Sequence, residues 1–330
     1  MSRPTILVTR RWPTPVEARL AELFEVTTNA GDRPMSADEL RVALANHDCL
    51  MPTVTDALTA NVLGEAPRRA RLIASIGVGF NHIDLVAAKG AGLVVTNTPD
   101  VLTDCTADLA MTLLLMVARR AGEGERTVRT GAWTGWRPTQ MLGTKVTGKT
   151  LGLVGFGRIA KAVAKRAHHG FGMRVLYVDP HPPVIDDVTA TKCATLDELL
   201  ERSDFVSLHC PGSAKNRHLI DAARLAKMRP HAFLINSARG DVVDEAALVE
   251  ALGRGSLAGA ALDVFEGEPA VHPGLLSLEN VVLLPHLGSA TVETRIAMGM
   301  RAIDNAVAFF EGRRPIDALV QGALASGDRC

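Results

Sequence analysis

The chain reads as an α/β protein with two doubly wound parallel sheets, and three observations predict it. Short apolar runs alternate with helical patterns from end to end, the βαβ rhythm that builds a parallel sheet with helices on both faces. One such series is complete before a second opens at the glycine-rich turn Leu151-Gly-Leu-Val-Gly155-Phe156-Gly157-Arg158-Ile159-Ala160. The length, 330 residues, is that of about two domains.

In the first series the strands are Thr5–Thr9, Phe24–Thr28, Cys49–Met51, Leu72–Ile76 and Leu93–Thr96, with helices at Pro15–Leu23, Ala37–Ala45 and Ile83–Lys89 between them. A long helix follows from about Val101 to Arg120. Its Ala110, Leu113, Leu114 and Val117 recur at helical spacing, and Arg119-Arg120 suits its C-terminal dipole. Gly122 to Trp136 is polar and glycine-rich, which predicts a surface arm or loop. The second series runs Leu151–Gly155, Arg174–Val178, Phe205–Leu208, Ala232–Asn236, Ala258–Leu262 and Val281–Leu284. A last helix begins near Ser289, with Ile296, Met300, Ile303, Val307 and Phe310 on one face, and the small polar residues Gly322 to Cys330 are expected to fray.

The glycine turn carries the first chemical statement. Gly155 makes the tight turn after a buried strand, Gly157 lets backbone approach a phosphate, and small Ala160 lets the helix pack on the sheet. The helix N-terminus offers N–H groups and partial positive charge. The next strand ends at Asp179, where a carboxylate can accept hydrogen bonds from both ribose hydroxyls. Strand, glycines, helix, strand and acid within one ~30-residue unit form a dinucleotide fingerprint. A 2′-phosphate beside Asp179 would meet a like charge, and Pro180, His181, Pro182 and Pro183 supply no arginine. NAD(H) is therefore expected over NADP(H).

Composition excludes other classes. Formal net charge is zero, from 36 basic and 36 acidic residues, so nothing points to nucleic acid or an anionic membrane. Aromatics are 4%, with one tyrosine, too few for base-stacking platforms. Cys49, Cys105, Cys193, Cys210 and Cys330 form no C-x-x-C pair, so neither a disulfide framework nor a metal site is expected. Leu109 to Ala118 is too short to span a bilayer, and Met1-Ser-Arg-Pro4 leads into a strand without a signal-peptide core. A cytoplasmic location is the expectation.

Ligands of open parallel sheets bind beyond the carboxyl ends of strands. Three segments place polar groups there: Asn236-Ser237-Ala238-Arg239-Gly240, Asp263-Val-Phe-Glu266-Gly-Glu268-Pro269, and Pro285-His286-Leu-Gly288-Ser-Ala-Thr291. An arginine grips a carboxylate or polarises a carbonyl. A histidine gives a proton to an oxygen that becomes an alcohol. A glutamate bonded to that histidine favours its charged form and fixes its orientation. Asp263 can accept a hydrogen bond from a nicotinamide carboxamide. Arg239, Glu268 and His286 together suggest a hydride-transfer site. His168-His169, His209 and His218 suggest no chemistry, and Cys210 reads as a small lining residue.

These segments resemble the D-2-hydroxyacid dehydrogenase family over nearly the whole chain, from Ser75-Ile-Gly77-Val78-Gly79-Phe-Asn-His-Ile-Asp84 to Pro285-His286, in the family's order. The glyoxylate/hydroxypyruvate reductases are the most similar subgroup, through Gly135-Trp136-Arg-Pro-Thr-Gln140-Met-Leu-Gly143. The resemblance implies a catalytic trio of Arg239, Glu268 and His286. It implies that the amides of Val78 and Gly79 hold the substrate carboxylate. Thr106, Gly155, Phe156, Gly157, Arg158, Ile159, Asp179, Cys210, Pro211, Ser237, Ala238, Arg239, Asp263, His286 and Gly288 would surround the cofactor. It further implies a substrate domain of residues 1–99 plus 289–330, a cofactor domain of 100–288, and an active-site cleft between two Rossmann-like domains. A homodimer joined through the cofactor domains and the Trp133/Trp136 arm is also implied. The implied reaction is NADH-dependent reduction of a small 2-oxo acid. Alternatives are a D-lactate or phosphite dehydrogenase and an NAD-sensing corepressor-like protein. Gln140 stands where some relatives present a tryptophan to the partner's active site, which leaves substrate size open.

Overall fold

The computed structural model describes residues 3–64, 68–181 and 187–320; Pro182, Pro183 and Gly322 to Cys330 lie outside them. The strands are β1 (Thr5–Val8), β2 (Glu25–Thr28), β3 (Cys49–Met51), β4 (Leu72–Ala74), β5 (Val94–Thr96), β6 (Thr150–Val154), β7 (Arg174–Val178), β8 (Ala190–Lys192), β9 (Phe205–Leu208), β10 (Phe233–Asn236), β11 (Gly259–Leu262), β12 (Val281–Leu283) and β13 (Ala318–Val320). The chain divides into two compact units, Met1–Leu102 with Ser289–Cys330, and Thr103–Gly288.

The first unit holds a six-stranded sheet ordered β13-β5-β4-β3-β1-β2. All neighbours are parallel except β13, which pairs antiparallel to β5. Leu7, Leu50, Ile73 and Val95 pack with Leu40, Leu44 and Leu63 on one face. The helix Ala37–Asn46 opens on a reciprocal cap between Ser36 and Glu39, which satisfies two otherwise unpaired N–H groups. The last helix, Val292–Phe310, starts after Thr291, whose hydroxyl accepts from the Thr294 N–H.

The second unit is a seven-stranded, wholly parallel sheet ordered β12-β11-β10-β9-β6-β7-β8. Alternation along its strands feeds two cores. Leu151, Leu153, Val175 and Tyr177 pack with the helix Thr103–Ala118, whereas Val154, Leu176, Val206 and Leu234 face the opposite way. Strands buried on both faces read as continuous apolar runs, and so they stood out in the sequence.

One expectation is corrected. Gly122 to Trp136 is not all loop, because Ala121–Arg129 is a helix. Arg120, at φ 53°, separates it from the preceding helix. The pairs Arg120–Glu123 and Arg129–Glu125 sit one turn apart and offset the two glycines within it. None of its residues is buried, in keeping with the expected surface position. No helix among the described residues is long and apolar enough to cross a membrane.

Candidate active site

The three segments expected to carry chemistry all follow strands of the second unit, and two close contacts set their geometry. The first is at Gly240. A Cβ there would fall 1.8 Å from the Phe265 carbonyl carbon and 2.3 Å from the Glu266 nitrogen. Only glycine allows the turn after β10 to lie flat against the loop after β11. Buried Asn236 shapes that turn, accepting from the Ala238 N–H (3.0 Å) and donating to the Arg239 carbonyl (2.8 Å). Arg239 stands at its tip, within the electrostatic reach of Glu268 and Asp241. Burial pulls its guanidinium below the ordinary value while these two acids oppose the shift; it stays charged.

The second contact is at Asp263, which is fully buried. Its carboxylate accepts the N–H groups of Leu287 (2.7 Å) and Gly288 (2.9 Å), and its carbonyl accepts that of His286 (2.9 Å). One acid after β11 thus folds the turn after β12 around itself. Thr106, expected near the phosphates or nicotinamide, donates its hydroxyl to the Gly288 carbonyl at 3.0 Å and so helps to hold the turn. The turn presents His286 at φ 55°, a conformation uncommon for a residue with a side chain.

His286 Nδ1 lies 2.8 Å from Glu268 Oε2, while Glu268 Oε1 accepts the Phe265 N–H at 3.0 Å. A carboxylate at Nδ1 puts the proton on that nitrogen and leaves Nε2 to work. Nε2 meets no partner among the described residues. Burial alone would raise the Glu268 carboxyl. The hydrogen bond and charge of His286, the Phe265 N–H and the Arg239 charge outweigh it, and the group is held below its usual range.

A dinucleotide site is tested by the residues around the glycine turn. Gly155 has φ +86°, and a Cβ there would press within 3.0 Å of the His209–Cys210 peptide. At Gly157 a Cβ would meet nothing within 4 Å, so the approach is open. The helix Arg158–Lys165 has no side-chain cap, whereas Asp244 caps Glu245–Gly253 and Thr291 caps Val292–Phe310. An uncapped, open helix start after a glycine turn suits a phosphate. Asp179 ends β7 as expected. Its oxygens accept the N–H groups of Phe156 (2.7 Å) and His181 (2.8 Å), which ties the acid to the glycine turn. The Phe156 ring stacks on Tyr177 at 4.3 Å in the core, and Ile159 packs against that core as well. The buried Ser237 Oγ has no hydrogen-bond partner among the described residues, an unmet group of the kind a carboxamide satisfies. Burial pushes the Cys210 thiol up to about 11, which agrees with a lining role and not with a nucleophile. The Pro211 carbonyl accepts the Asn216 side-chain N–H at 2.8 Å. The residues present fit a nicotinamide dinucleotide.

In the first unit, the expected carboxylate loop lies after β4. Val78 and Gly79 are partly exposed, and their N–H groups donate to no described residue. Trp133 and Trp136 are exposed, Gln140 is partly exposed, and no cluster of metal-binding side chains occurs among the described residues. Sequence reasoning missed Asn236 as the shaper of the Arg239 turn. A buried amide directly after an apolar strand was the available signal.

A family model for the NAD binding domain of D-isomer specific 2-hydroxyacid dehydrogenases matches residues 111–288. Glyoxylate reductase of Thermococcus onnurineus is 43% identical over 318 residues, spanning 95% of each chain. Glycerate dehydrogenase of Hyphomicrobium methylovorum is 40% identical over 317 residues, 94% of this chain and 98% of that one. Among solved structures, the NADPH-dependent glyoxylate/hydroxypyruvate reductase of Sinorhizobium meliloti, with NADP and malonate, superimposes with a TM-score of 0.87 at 36% identity, covering 98% of both chains. With a nicotinamide-dinucleotide fold and a histidine–glutamate pair at its strand ends, the chain belongs to the D-2-hydroxyacid dehydrogenase family.

Proposed function

We propose that the protein reduces a small 2-oxo acid, glyoxylate or hydroxypyruvate, to its 2-hydroxy acid, with NADH preferred. The observation that carries this is the His286–Glu268 pair at 2.8 Å with Nε2 left over. A bound reduced nicotinamide supplies the hydride to the carbonyl carbon. The chain supplies the rest. His286 Nε2–H gives its proton to the carbonyl oxygen as that oxygen takes up the bonding electrons. Glu268 accepts the Nδ1–H hydrogen bond and orients the ring. Arg239 binds the 2-oxo acid, and the amides of Val78 and Gly79 take its carboxylate. Asp263 and Thr106 keep the His286 turn in place. Ser237, Ala238 and Gly288 receive the nicotinamide end, Arg158 and Ile159 the pyrophosphate, and Cys210 and Pro211 the adenosine side.

The preference for NADH rests on Asp179, whose charge repels a 2′-phosphate. The Sinorhizobium relative is NADPH-dependent, so comparing the two reduced cofactors is a direct test, and an NADPH preference removes this part. Following NADH absorbance with glyoxylate, hydroxypyruvate and pyruvate, and NAD with phosphite, separates the substrate readings. Oxidation of NADH by none of the oxo acids sinks the reductase reading, and cofactor binding without turnover of any substrate would favour an NAD-sensing role. Cys49, Cys105, Cys193 and Cys210 form no disulfide among the described residues, which suits a reducing cytoplasm. A second copy of the chain covers the exposed Val128, Trp133, Trp136 and Leu142 as a homodimer. Light scattering on the eluting protein gives the mass that decides this.

A further inference from the structure

We infer that Asn97 is the positioning residue that aims the Gly79 amide at the substrate carboxylate, in concert with Thr98 at the preceding peptide. This rests on the proposal that the Val78 and Gly79 amides take that carboxylate. An anion is gripped by two adjacent N–H groups only if both peptide planes are held so that the hydrogens face it. A planar trans peptide points its N–H opposite to its C=O, so fixing one carbonyl fixes the next residue's N–H.

Both carbonyls are fixed here. The Gly77 carbonyl accepts the Thr98 N–H at 2.9 Å, which turns the Val78 N–H away from Thr98. The Val78 carbonyl accepts Asn97 Nδ2 at 2.9 Å, which turns the Gly79 N–H away from the Asn97 side chain. The Gly77 N–H donates to Thr98 Oγ1 at 2.9 Å and closes the start of the loop. The first plane is held by backbone, but the second depends on one side chain. Asn97 is itself 6% exposed and anchored from behind. Its carbonyl accepts Nδ2 of buried Asn305 (3.2 Å), and its N–H donates to the Asp317 carbonyl (3.4 Å). Asn305 also donates to Asp317 Oδ2 (2.9 Å) and accepts the Asp317 N–H. Arg301 forks onto both Asp317 oxygens at 2.6 and 2.9 Å. The pair Asn97 and Asn305 thus joins the last helix to one peptide of the loop.

The test is steady-state kinetics of N97A with glyoxylate and NADH. The expected result is a KM for glyoxylate raised about 10- to 30-fold, the scale of one misdirected charge-assisted hydrogen bond. The turnover number and the KM for NADH stay within about threefold, because neither involves the second amide alone. N305A, one bond further back, gives a smaller rise of about two- to fivefold. Should N97A not fold, N97D keeps the side-chain shape, sets an acceptor against the Val78 carbonyl and gives the same reading. An unchanged glyoxylate KM in a folded variant overturns the inference. So does a fall in turnover or a rise in both KM values together, which marks a merely structural role. If the wild-type protein oxidises NADH with no 2-oxo acid, the functional proposal fails first and this one with it. Wild-type turnover with an insensitive N97A fails this one alone.

Discussion

Two histidine–carboxylate pairs stand on neighbouring turns of the second unit and resemble each other closely. His286 meets Glu268 at 2.8 Å and His218 meets Glu266 at 3.0 Å. Both histidines have positive φ, 55° and 49°, and their side chains are 35% and 34% exposed. Distance, strain and exposure do not separate them. What differs is the valence left over. Glu266 is shared with Arg217, and the other nitrogen of His218 lies 3.9 Å from Asp244, so His218 sits in a network of charge at both ends. His286 has one carboxylate at Nδ1 and nothing at Nε2 among the described residues. A proton donor needs one nitrogen held and the other free. The lesson is that ion pairs declare a site through the atom they leave unpaired.

The largest effect tests that distinction. H286Q removes the donor, and kcat for reduction is expected to fall by ~10²–10⁴-fold, while H218Q changes it by less than about threefold. Equal losses would erase the difference drawn between the pairs. Next come the carboxylates. Burial would raise the Glu268 carboxyl, but the hydrogen bond and charge of His286, the Phe265 N–H and the Arg239 charge together outweigh it and hold the group below its usual range. E268Q withdraws that counter-charge. The expected outcome is a kcat lowered about 10- to 100-fold, because the ring loses the partner that holds its Nδ1 proton and orientation. E266Q should leave kcat within about threefold. An unchanged kcat in E268Q would show that the imidazole works without its carboxylate.

Much of this was legible in the sequence, for a physical reason. Buried parallel strands are apolar on both faces, so β3, β7 and β9 were read with their observed ends and the other long ones within two residues. The residues expected to carry chemistry follow strands, and Arg239, Glu268 and His286 do stand on such turns. Two strands escaped. β8 is the edge triplet Ala190–Lys192, partly exposed and paired only to β7, and β13 pairs with β5 across more than two hundred residues of chain. The helix Ala121–Arg129 escaped because ion pairs hold it, not an apolar stripe. Side-chain anchors were hidden for a similar reason. Asp263 reads as a ligand for a carboxamide; its oxygens also hold the turn of His286, and only the fold shows that Leu287 and Gly288 come back to it.

A third histidine sharpens the comparison at its small end. His209 lies beside the glycine turn, its Nε2 2.9 Å from Ser207 Oγ, and no carboxylate faces it among the described residues. Burial therefore acts alone and pulls its pKa down to about 4. Its folded value is below the unfolded one of about 6.5, so between those values the unfolded chain binds a proton that the folded chain refuses. Stability must then fall as pH drops through that window and rise as pH increases. The loss is on the order of 1–3 kcal/mol by the bottom of the window. H209Q keeps a polar group beside Ser207 and cannot titrate. Thermal melts from pH 7 to pH 4.5 should show the wild-type protein losing more stability than the variant across that range, with cofactor absent from both. Parallel curves would mean that His209 accepts its proton in place. Enclosure without a carboxylate would then not suffice to keep a histidine neutral here.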